Sequence, residues 1–222
     1  MHLREAAARL AGARYDGARP MKIYDFKLAP NPRRVRIFLA EKGLSVPYEQ
    51  VDIFARKNRE AAFLAKNPFG TIPVLELDDG TCISESVAIC RYFEEQHPEP
   101  PLFGRSAREK AEIEMWSRRV ELIFSQALRM IWAHGSPHTA KLVHQIPENV
   151  GPNRKSAAKF LEALDRALHD RPFIAGDCFS IADIGAFCSV EFGTMIEATP
   201  DPALASLARW YAEVRARPSA SA

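Results

Sequence analysis

The segment Asn67-Pro68-Phe69-Gly70-Thr71-Ile72-Pro73-Val74-Leu75, followed shortly by Ser84-Glu85-Ser86, is the most informative part of the chain. Pro73 has no backbone N–H for a sheet ladder and stands directly before an apolar run, so it predicts an edge strand or a special turn. Asp78-Asp79-Gly80 has the composition of a hairpin turn, and Thr81-Cys82-Ile83 predicts the returning strand. Ser84-Glu85-Ser86 then precedes an amphipathic helix, whose free N-terminal amides and adjacent hydroxyl provide a place for a carboxylate.

The elements before this segment follow a definite order. Asn31-Pro32 predicts a helix start and Gly43 a helix end. The predicted elements are a strand over residues 21–26, a helix over 33–42, a strand over 47–53 and a short helix over 59–66. With the hairpin and the helix at Ser86, the order becomes β-α-β-α-β-β-α. This order resembles an α+β thioredoxin-like domain with a mixed sheet.

Three sequence motifs, in this order along the chain, resemble those of soluble glutathione transferases. They are the segment 67–75 quoted above, Ser84-Glu85-Ser86-Val87-Ala88-Ile89, and Phe179-Ser180-Ile181-Ala182-Asp183. The resemblance runs from Met21 almost to the C-terminus and is nearest to bacterial theta-like and nu-like members. It implies a cytoplasmic homodimer that uses glutathione as co-substrate, with a role in detoxification.

The composition agrees with a soluble globular protein. The chain has 222 residues, of which 47% are hydrophobic and 26% charged, and its net charge of +2 gives no reason to expect a nucleic-acid partner. No apolar run reaches the length of about 18 residues needed to span a bilayer, so no membrane partner is expected. The four cysteines have no CxxC or metal-ligand spacing, and we expect buried free thiols and no metal.

The sequence divides into four parts. Residues 1–20 are Ala-rich with scattered Arg, lack the apolar core of a secretory signal, and are expected to be a disordered extension. Residues 21–97 form the thioredoxin-like glutathione-binding domain, and the Pro-rich residues 98–107 form a linker. Residues 108–222 are expected to be all-helical, because apolar residues recur there at spacings of three and four. A long helix is predicted by Ile113, Trp116, Val120, Ile123, Ala127 and Ile131.

A helix start is also predicted within the helical part. Ser180 and Asp183 have the spacing of a capping box, in which the Asp183 carboxylate accepts from the amide of residue 180. A catalytic Asp is the competing interpretation, and the cap is favoured.

The chemistry is expected at the junction between the first strand and the first helix. A free thiol has a pKa near about 8.5, so a transferase has to stabilise the glutathione thiolate, and a helix N-terminus with one hydrogen-bond donor can do so. The resemblance places Ala29 where theta-like members have a Ser, and Asn31 where nu-like members have an Asn. Asn31 is therefore the candidate catalytic residue, with a plain N-cap as the alternative. Tyr24 is a second candidate for the thiol contact.

Other residues near this junction admit two interpretations. Arg33 and Arg34 either add positive potential for an anionic substrate or are solvated surface residues. Because the loop has no cysteine, a protein thiol is not expected to react.

The resemblance also assigns residues to the other parts of glutathione. Pro73 is expected to follow a cis bond, so that the backbone of Ile72 pairs with the cysteinyl part of the ligand. Ser86 is expected to bind the γ-glutamyl carboxylate and Glu85 the ammonium, although Ser86 also fits a simple helix cap. Lys57 is a candidate for the glycyl carboxylate.

The predicted function is conjugation of glutathione to an electrophilic small molecule. Trp116, Val120 and Phe124 are candidates for lining the electrophile pocket, although core packing explains the same spacing. Two alternatives remain open. One is a glutathione-dependent disulfide-bond reductase, in which bound glutathione supplies the attacking thiol. The other is a non-catalytic binding or regulatory protein on the same fold.

Overall fold

The computed structural model describes residues 20–222. The predicted extension, residues 1–20, lies outside the described residues except for Pro20. The described chain forms two compact units: the residues up to Phe26 with Val46–Glu85 make the first, and Lys27–Ser45 with Ser86–Ala222 make the second. The domain limits at residues 97 and 108 stay a prediction.

The regular elements of the described residues follow the predicted order. The strands are β1 (Lys22–Asp25), β2 (Tyr48–Gln50), β3 (Val74–Glu76) and β4 (Cys82–Ser84). The α-helices are α1 (Pro30–Glu41), α2 (Ala61–Leu64), α3 (Ser86–Gln96), α4 (Ala107–Arg119), α5 (Gln126–Gly135), α6 (Val150–Ala167), α7 (Ile181–Met195) and α8 (Ala205–Arg215). Short 3-10 turns are Lys57–Arg59, Pro137–Thr139, Pro147–Asn149 and Pro218–Ser221, and Val120–Ser125 is a π-helical segment.

The first unit is built on a four-stranded sheet with the spatial order β2-β1-β3-β4. β1 runs parallel to β2 and antiparallel to β3, and β3 pairs with β4 in the predicted hairpin. The sheet is therefore mixed, as predicted. β2 is shorter than the predicted strand over residues 47–53. The predicted helix over residues 59–66 is a 3-10 turn followed by α2, because Glu60 between them is extended.

A buried cluster holds the sheet of the first unit together. Tyr24 on β1 packs edge-on against Phe63 of α2, with the ring centroids 5.8 Å apart. Its hydroxyl donates to the buried Glu76 of β3 at 2.5 Å, and Lys66 donates to the same carboxylate oxygen at 2.9 Å. The hydrogen bond from Tyr24, together with Lys66, keeps the pKa of Glu76 below its ordinary value although burial opposes this. Oε2 of Glu76 thus accepts two hydrogen bonds inside the unit.

The second unit is helical. α1 packs against both α3 and α7, α4 packs against α7, and α5 packs against α6. The largest fully buried side chains include Phe38, Phe124, Leu128, Leu164, Phe187 and Trp210. The element order and this helical layer confirm the predicted fold class, a thioredoxin-like α+β region followed by an all-α region.

The predicted long helix is present but is not regular. Residues 107–135 are helical throughout, with the π-helical segment Val120–Ser125 between α4 and α5. Ile123, predicted to face the core, is exposed, and Phe124 is buried and stacked on Phe160. Phe124 lies four residues after Val120 and three before Ala127, so Phe124 rather than Ile123 continues the buried face of the helix.

The linker after α3 is fixed by a buried ion pair. Lys42, directly after α1, places its ammonium 2.5 Å from Glu94 of α3 and also donates to the carbonyl oxygens of His97 and Pro100. Glu94 accepts in turn from the amide of Phe103. The Pro-rich segment is thus held by backbone contacts to two charged side chains, Lys42 and Glu94.

Asp183 at the start of α7 is the most completely satisfied carboxylate in the second unit. It is fully buried and accepts from the amide and the hydroxyl of Ser180, at 3.0 and 2.9 Å. It also accepts from the amide of Ile174 and from the indole of Trp210, both at 2.9 Å. Burial raises the pKa of Asp183, and these donors oppose the rise. The predicted cap is confirmed, and the carboxylate additionally ties α7 to α8.

Replacing Asp183 by Ala is expected to lower the free energy of unfolding by about 3 kcal/mol, because several buried donors would lose their acceptor. Chemical denaturation of both proteins measures this change. Asp201→Ala is the matched control, since Asp201 accepts only one exposed amide, from Ala203. A stable Asp183→Ala protein without activity would instead support the catalytic interpretation of Asp183.

Candidate active site

The first helix begins earlier than the sequence predicts. Pro30 rather than Arg33 is its first residue, Ala29 is the N-cap, and Ala29 makes no side-chain capping bond. Proline suits this first position because its fixed φ fits a helix and no N–H is needed there. Asn31 therefore lies in the first turn and is not the N-cap, so the capping interpretation of Asn31 is wrong. Its side chain is exposed, with no hydrogen-bond partner within residues 20–222.

The two arginines that follow are not solvated surface residues. Arg34 is only 5% exposed, and its Nη1 donates to the hydroxyl oxygen of Ser86 at 2.7 Å. Arg33 donates to Glu191 of α7 at 3.3 Å and to the carbonyl of Ala220 at 3.0 Å. Both guanidinium groups are thus held by contacts within the second unit, close to the N-terminus of α1.

The loop before β3 is braced by asparagines. Asn67 is almost fully buried, and its Nδ2 donates at 2.8 Å to both the carbonyl and the hydroxyl of Thr71. Asn58 donates to the carbonyl of Gly70 at 2.7 Å. The peptide bond between Ile72 and Pro73 is cis, as predicted. The backbone just before Ile72 is therefore fixed by side chains of the same unit.

Glu85 and Ser86 lie at the junction of β4 and α3. Glu85 has a φ of 70°, in the left-handed region where a residue other than glycine is uncommon and costs energy. Such outliers persist where the surroundings impose them, and they cluster at functional sites. Ser86 is the first residue of α3, is buried, and accepts from Arg34. Ser86 is thus linked to α1, the helix that carries Asn31.

The other two candidates are engaged in contacts of the first unit. Lys57 is exposed and its ammonium lies 2.7 Å from Glu60; this hydrogen bond raises the pKa of Lys57. Tyr24 donates its hydroxyl to Glu76. Burial raises the pKa of Tyr24 above its ordinary value, and the bond to Glu76 adds to the rise. Tyr24 is therefore committed as a donor inside the sheet.

A pocket of about 250 Å³ opens in the second unit beside the start of α1. Its lining residues are Leu28, Pro30, Arg33, Cys188, Glu191, Phe192 and Met195. The walls are largely apolar, and the pair Arg33–Glu191 supplies the polar part. Trp116, Val120 and Phe124 are buried core residues and do not line this pocket, so the core interpretation of their spacing applies.

All four cysteines are free, and two of them are fully enclosed. Burial raises the pKa of Cys188 to about 11 and raises that of Cys90 as well. Cys82 is partly buried, and burial raises its pKa too. Cys178 is exposed, contrary to the expectation of four buried thiols. Cys82, Cys90 and Cys188 are thus protonated thiols at neutral pH.

The sequence pattern predicts neither the burial of Asn67 nor the hydrogen bond from Arg34 to Ser86. The available signal for a buried Arg34 is its spacing, since it precedes Ile37 and Phe38 by three and four residues and so lies on the apolar face of the helix. A cation on a core face needs a partner. Within residues 20–222, no group of three acidic, His or Cys side chains could hold a metal ion, and no helix could cross a membrane.

The comparisons with known proteins agree with the geometry. Residues 29–96 match the glutathione S-transferase N-terminal domain and residues 116–213 match the glutathione S-transferase C-terminal domain. Glutathione S-transferase 2 of Saccharomyces cerevisiae is 36% identical over 92% of this chain and 91% of its own length. The chain belongs to the glutathione S-transferase family, and it is an enzyme of the glutathione transferase type.

Solved structures give the same result. A glutathione S-transferase domain-containing protein of Marinobacter aquaeolei superposes with a TM-score of 0.85 at 38% identity, covering 89% of this chain and 98% of that one. Gtt2 of Saccharomyces cerevisiae superposes with a TM-score of 0.86 at 35% identity, covering 90% of this chain and 98% of that one. The fold of both units is therefore that of the family.

Gly70→Ala is expected to destabilise the protein by about 2 kcal/mol or more, because φ is +61° there and a Cβ would lie 2.8 Å from the carbonyl oxygen of Asn58. Gly80→Ala is the matched control: its φ is +85°, and a Cβ would meet nothing within 4 Å. Thermal unfolding of both variants separates backbone strain from the steric contact. Equal losses of stability would show that the asparagine-braced loop does not constrain residue 70.

Proposed function

We propose that this protein binds glutathione, stabilises its thiolate and transfers it to an electrophilic small molecule. The observation that carries the proposal is the N-terminus of α1, where the exposed side-chain amide of Asn31 lies in the first turn and has no hydrogen-bond partner among the described residues 20–222. Pro30 and Pro32 have no N–H, and the amide of Arg33 bonds to the carbonyl of Ala29, so the backbone amide of Asn31 and the positive end of the helix dipole are what α1 offers an anion. The Asn31 NH₂ adds a neutral donor for the sulfur.

The thiolate is expected to gain from charge as well as from hydrogen bonds. Arg33 and Arg34 follow Asn31 on the same helix, and no acidic residue lies in the first turn of α1. Acidic residues are usually preferred there, so their absence favours a negative ligand. Arg34 donates to the neutral Ser86 hydroxyl and adds positive charge, whereas the charge of Arg33 is offset by its ion pair with Glu191. Asn31 is preferred over Tyr24 as the thiol donor, because the Tyr24 hydroxyl already donates to Glu76.

The other site assignments follow the chemistry of the ligand. The Ser86 hydroxyl and the N-terminus of α3 suit the γ-glutamyl carboxylate, and the exposed Glu85 carboxylate suits the ammonium group. The backbone of Ile72, turned by the cis bond to Pro73, suits the cysteinyl amide. Lys57 suits the glycyl carboxylate, and it would have to exchange its contact with Glu60 for the ligand.

The electrophile is expected in the pocket beside Leu28 and Pro30. Its apolar walls fit an uncharged, hydrophobic body, and the Arg33–Glu191 pair fits a polar substituent. Pro30 lines the pocket and is followed directly by Asn31, so a bound electrophile would lie near the start of α1. Homodimer formation, a cytoplasmic location and a role in detoxification are proposed from membership of the family.

Disulfide-bond reduction is a second candidate, favoured by Ala29. A Ser is expected at that position in theta-like transferases, and Ala29 has no hydroxyl. In such a reductase, bound glutathione would supply the attacking thiol, which agrees with the raised pKa values of the buried Cys90 and Cys188. Parallel assays with a chloronitrobenzene and with a glutathione-reducible disulfide separate the two activities in one preparation.

Asn31→Ala is expected to lower kcat/KM for glutathione by about tenfold or more, since a hydrogen bond to a charged group is worth roughly 1.5–3 kcal/mol. Asn31→Asp is expected to lower it further, because a carboxylate repels the thiolate, while the thermal stability stays equal or rises through the helix dipole. Steady-state kinetics and thermal unfolding measure both effects. An Asn31→Asp variant with unchanged kinetics would contradict the thiolate role.

A further inference from the structure

Arg34 is a buried cation whose hydrogen bonding is incomplete. One of its nitrogens, Nη1, donates to Ser86, whereas the buried Nε has no hydrogen-bond partner among the described residues. A polar group taken out of water without a partner costs free energy, and most such groups in folded proteins are paired. The unpaired Nε therefore indicates that a polar partner lies next to it.

A small cavity of about 10 Å³ lies beside Arg34 within the second unit. Besides Arg34 it is lined by Ser117 of α4, by Glu121 of the π-helical segment, and by apolar residues such as Val120 and Ile181. The buried atoms Ser117 Oγ and Glu121 Oε2 also have no hydrogen bond within residues 20–222. Glu121 Oε2 forms an ion pair with Arg118, whose Nη1 lies 3.0 Å away.

The polar atoms of this cavity match the needs of one water molecule. The volume is close to the minimum of about 10 Å³ that a water requires, and a buried water typically makes about three hydrogen bonds. Arg34 Nε can only donate, Glu121 Oε2 in its ionised form can only accept, and the Ser117 hydroxyl can do either. A water molecule can therefore accept from Arg34 Nε, donate to Glu121 Oε2 and form a hydrogen bond with the Ser117 hydroxyl.

We propose that this cavity holds one ordered water that bridges Arg34, Ser117 and Glu121, and that Arg34 so braced is a positioning residue for the glutamyl carboxylate of glutathione. The inference rests on the proposed function. A guanidinium has no acceptor, so the Ser86 oxygen accepts from Arg34 and its own hydrogen is left for another acceptor. Arg34 thereby turns the Ser86 hydroxyl into a donor at the N-terminus of α3.

The glycine at position 185 agrees with this role. Gly185 of α7 has no side chain, and a Cβ there would lie 3.5 Å from Arg34 Nε. The missing side chain therefore leaves open the space beside Nε, and Gly185 also lines the cavity. The charge of Arg34 acts on the carboxylate from a buried position, where water screens it less than at the surface.

The first test compares two ligands on variants of Arg34. Arg34→Lys and Arg34→Met are titrated by calorimetry with glutathione and with an analogue that lacks the glutamyl α-carboxylate, γ-aminobutyryl-cysteinyl-glycine. The affinity for glutathione is expected to fall about tenfold or more, and the affinity for the analogue less than twofold. Arg166→Met, an exposed arginine of α6, is the control and should change neither.

Three outcomes would overturn the positioning role. Equal losses of affinity for both ligands would show a general structural effect. An unchanged affinity for glutathione would show that Arg34 does not act on the carboxylate. If the wild-type protein binds neither ligand, the proposed function is itself wrong, and this inference falls with it. The wild-type titration thus distinguishes the two failures.

The second test addresses the bridging water and does not depend on the folding of the Arg34 variants. Ser117→Ala removes one partner of the water, and the Kd for glutathione is expected to rise about threefold with little loss of stability. Ser189→Ala, an equally buried serine that bonds to Ser125 and Gly185 instead, is the control. Equal Kd values for these two variants, or a high-resolution crystal structure without density in the cavity, would overturn the bridge.

Discussion

The hydrogen bond from Arg34 to Ser86 joins the two helices on which the candidate site depends. α1 carries Asn31 at its first turn and α3 begins at Ser86, so the bond couples the group proposed for the thiolate with the group proposed for the carboxylate. Both helix N-termini attract anions, and Arg34 adds a full positive charge that is shielded from water. One buried cation thus takes part in the packing of the second unit and is proposed to take part in recognition of the anionic ligand.

Other buried charges of the protein are compensated more completely than Arg34. Asp183 is surrounded by donors from Ser180, Ile174 and Trp210, and Glu94 is paired with Lys42. These groups anchor α7 and the Pro-rich linker, which gives them structural tasks. Arg34 differs because it donates to a neutral hydroxyl that a ligand is proposed to share. A buried group with spare hydrogen-bonding capacity is what a binding site requires.

The sequence predicted the element order and the cap at Ser180, because each has a local cause in proline, glycine or capping chemistry. The cis bond before Pro73 was predicted from the family resemblance, since an X–Pro bond alone is usually trans. The start of α1 was predicted three residues late because both Pro30 and Pro32 suit the start of a helix, and no local signal marks the π-helical segment. The contacts of Arg34, Asn67 and Trp210 join distant parts of the chain or depend on burial. No local pattern encodes such contacts.

The site is proposed to stabilise the thiolate of glutathione. The most direct measurement is a titration of the wild-type protein with glutathione, followed by the ultraviolet absorbance of the thiolate across pH. We expect saturable binding, with the thiol pKa at least about one unit below its ordinary value near 8.5. Saturable binding with an unchanged pKa would contradict thiolate stabilisation, and no binding at all would contradict the glutathione site itself.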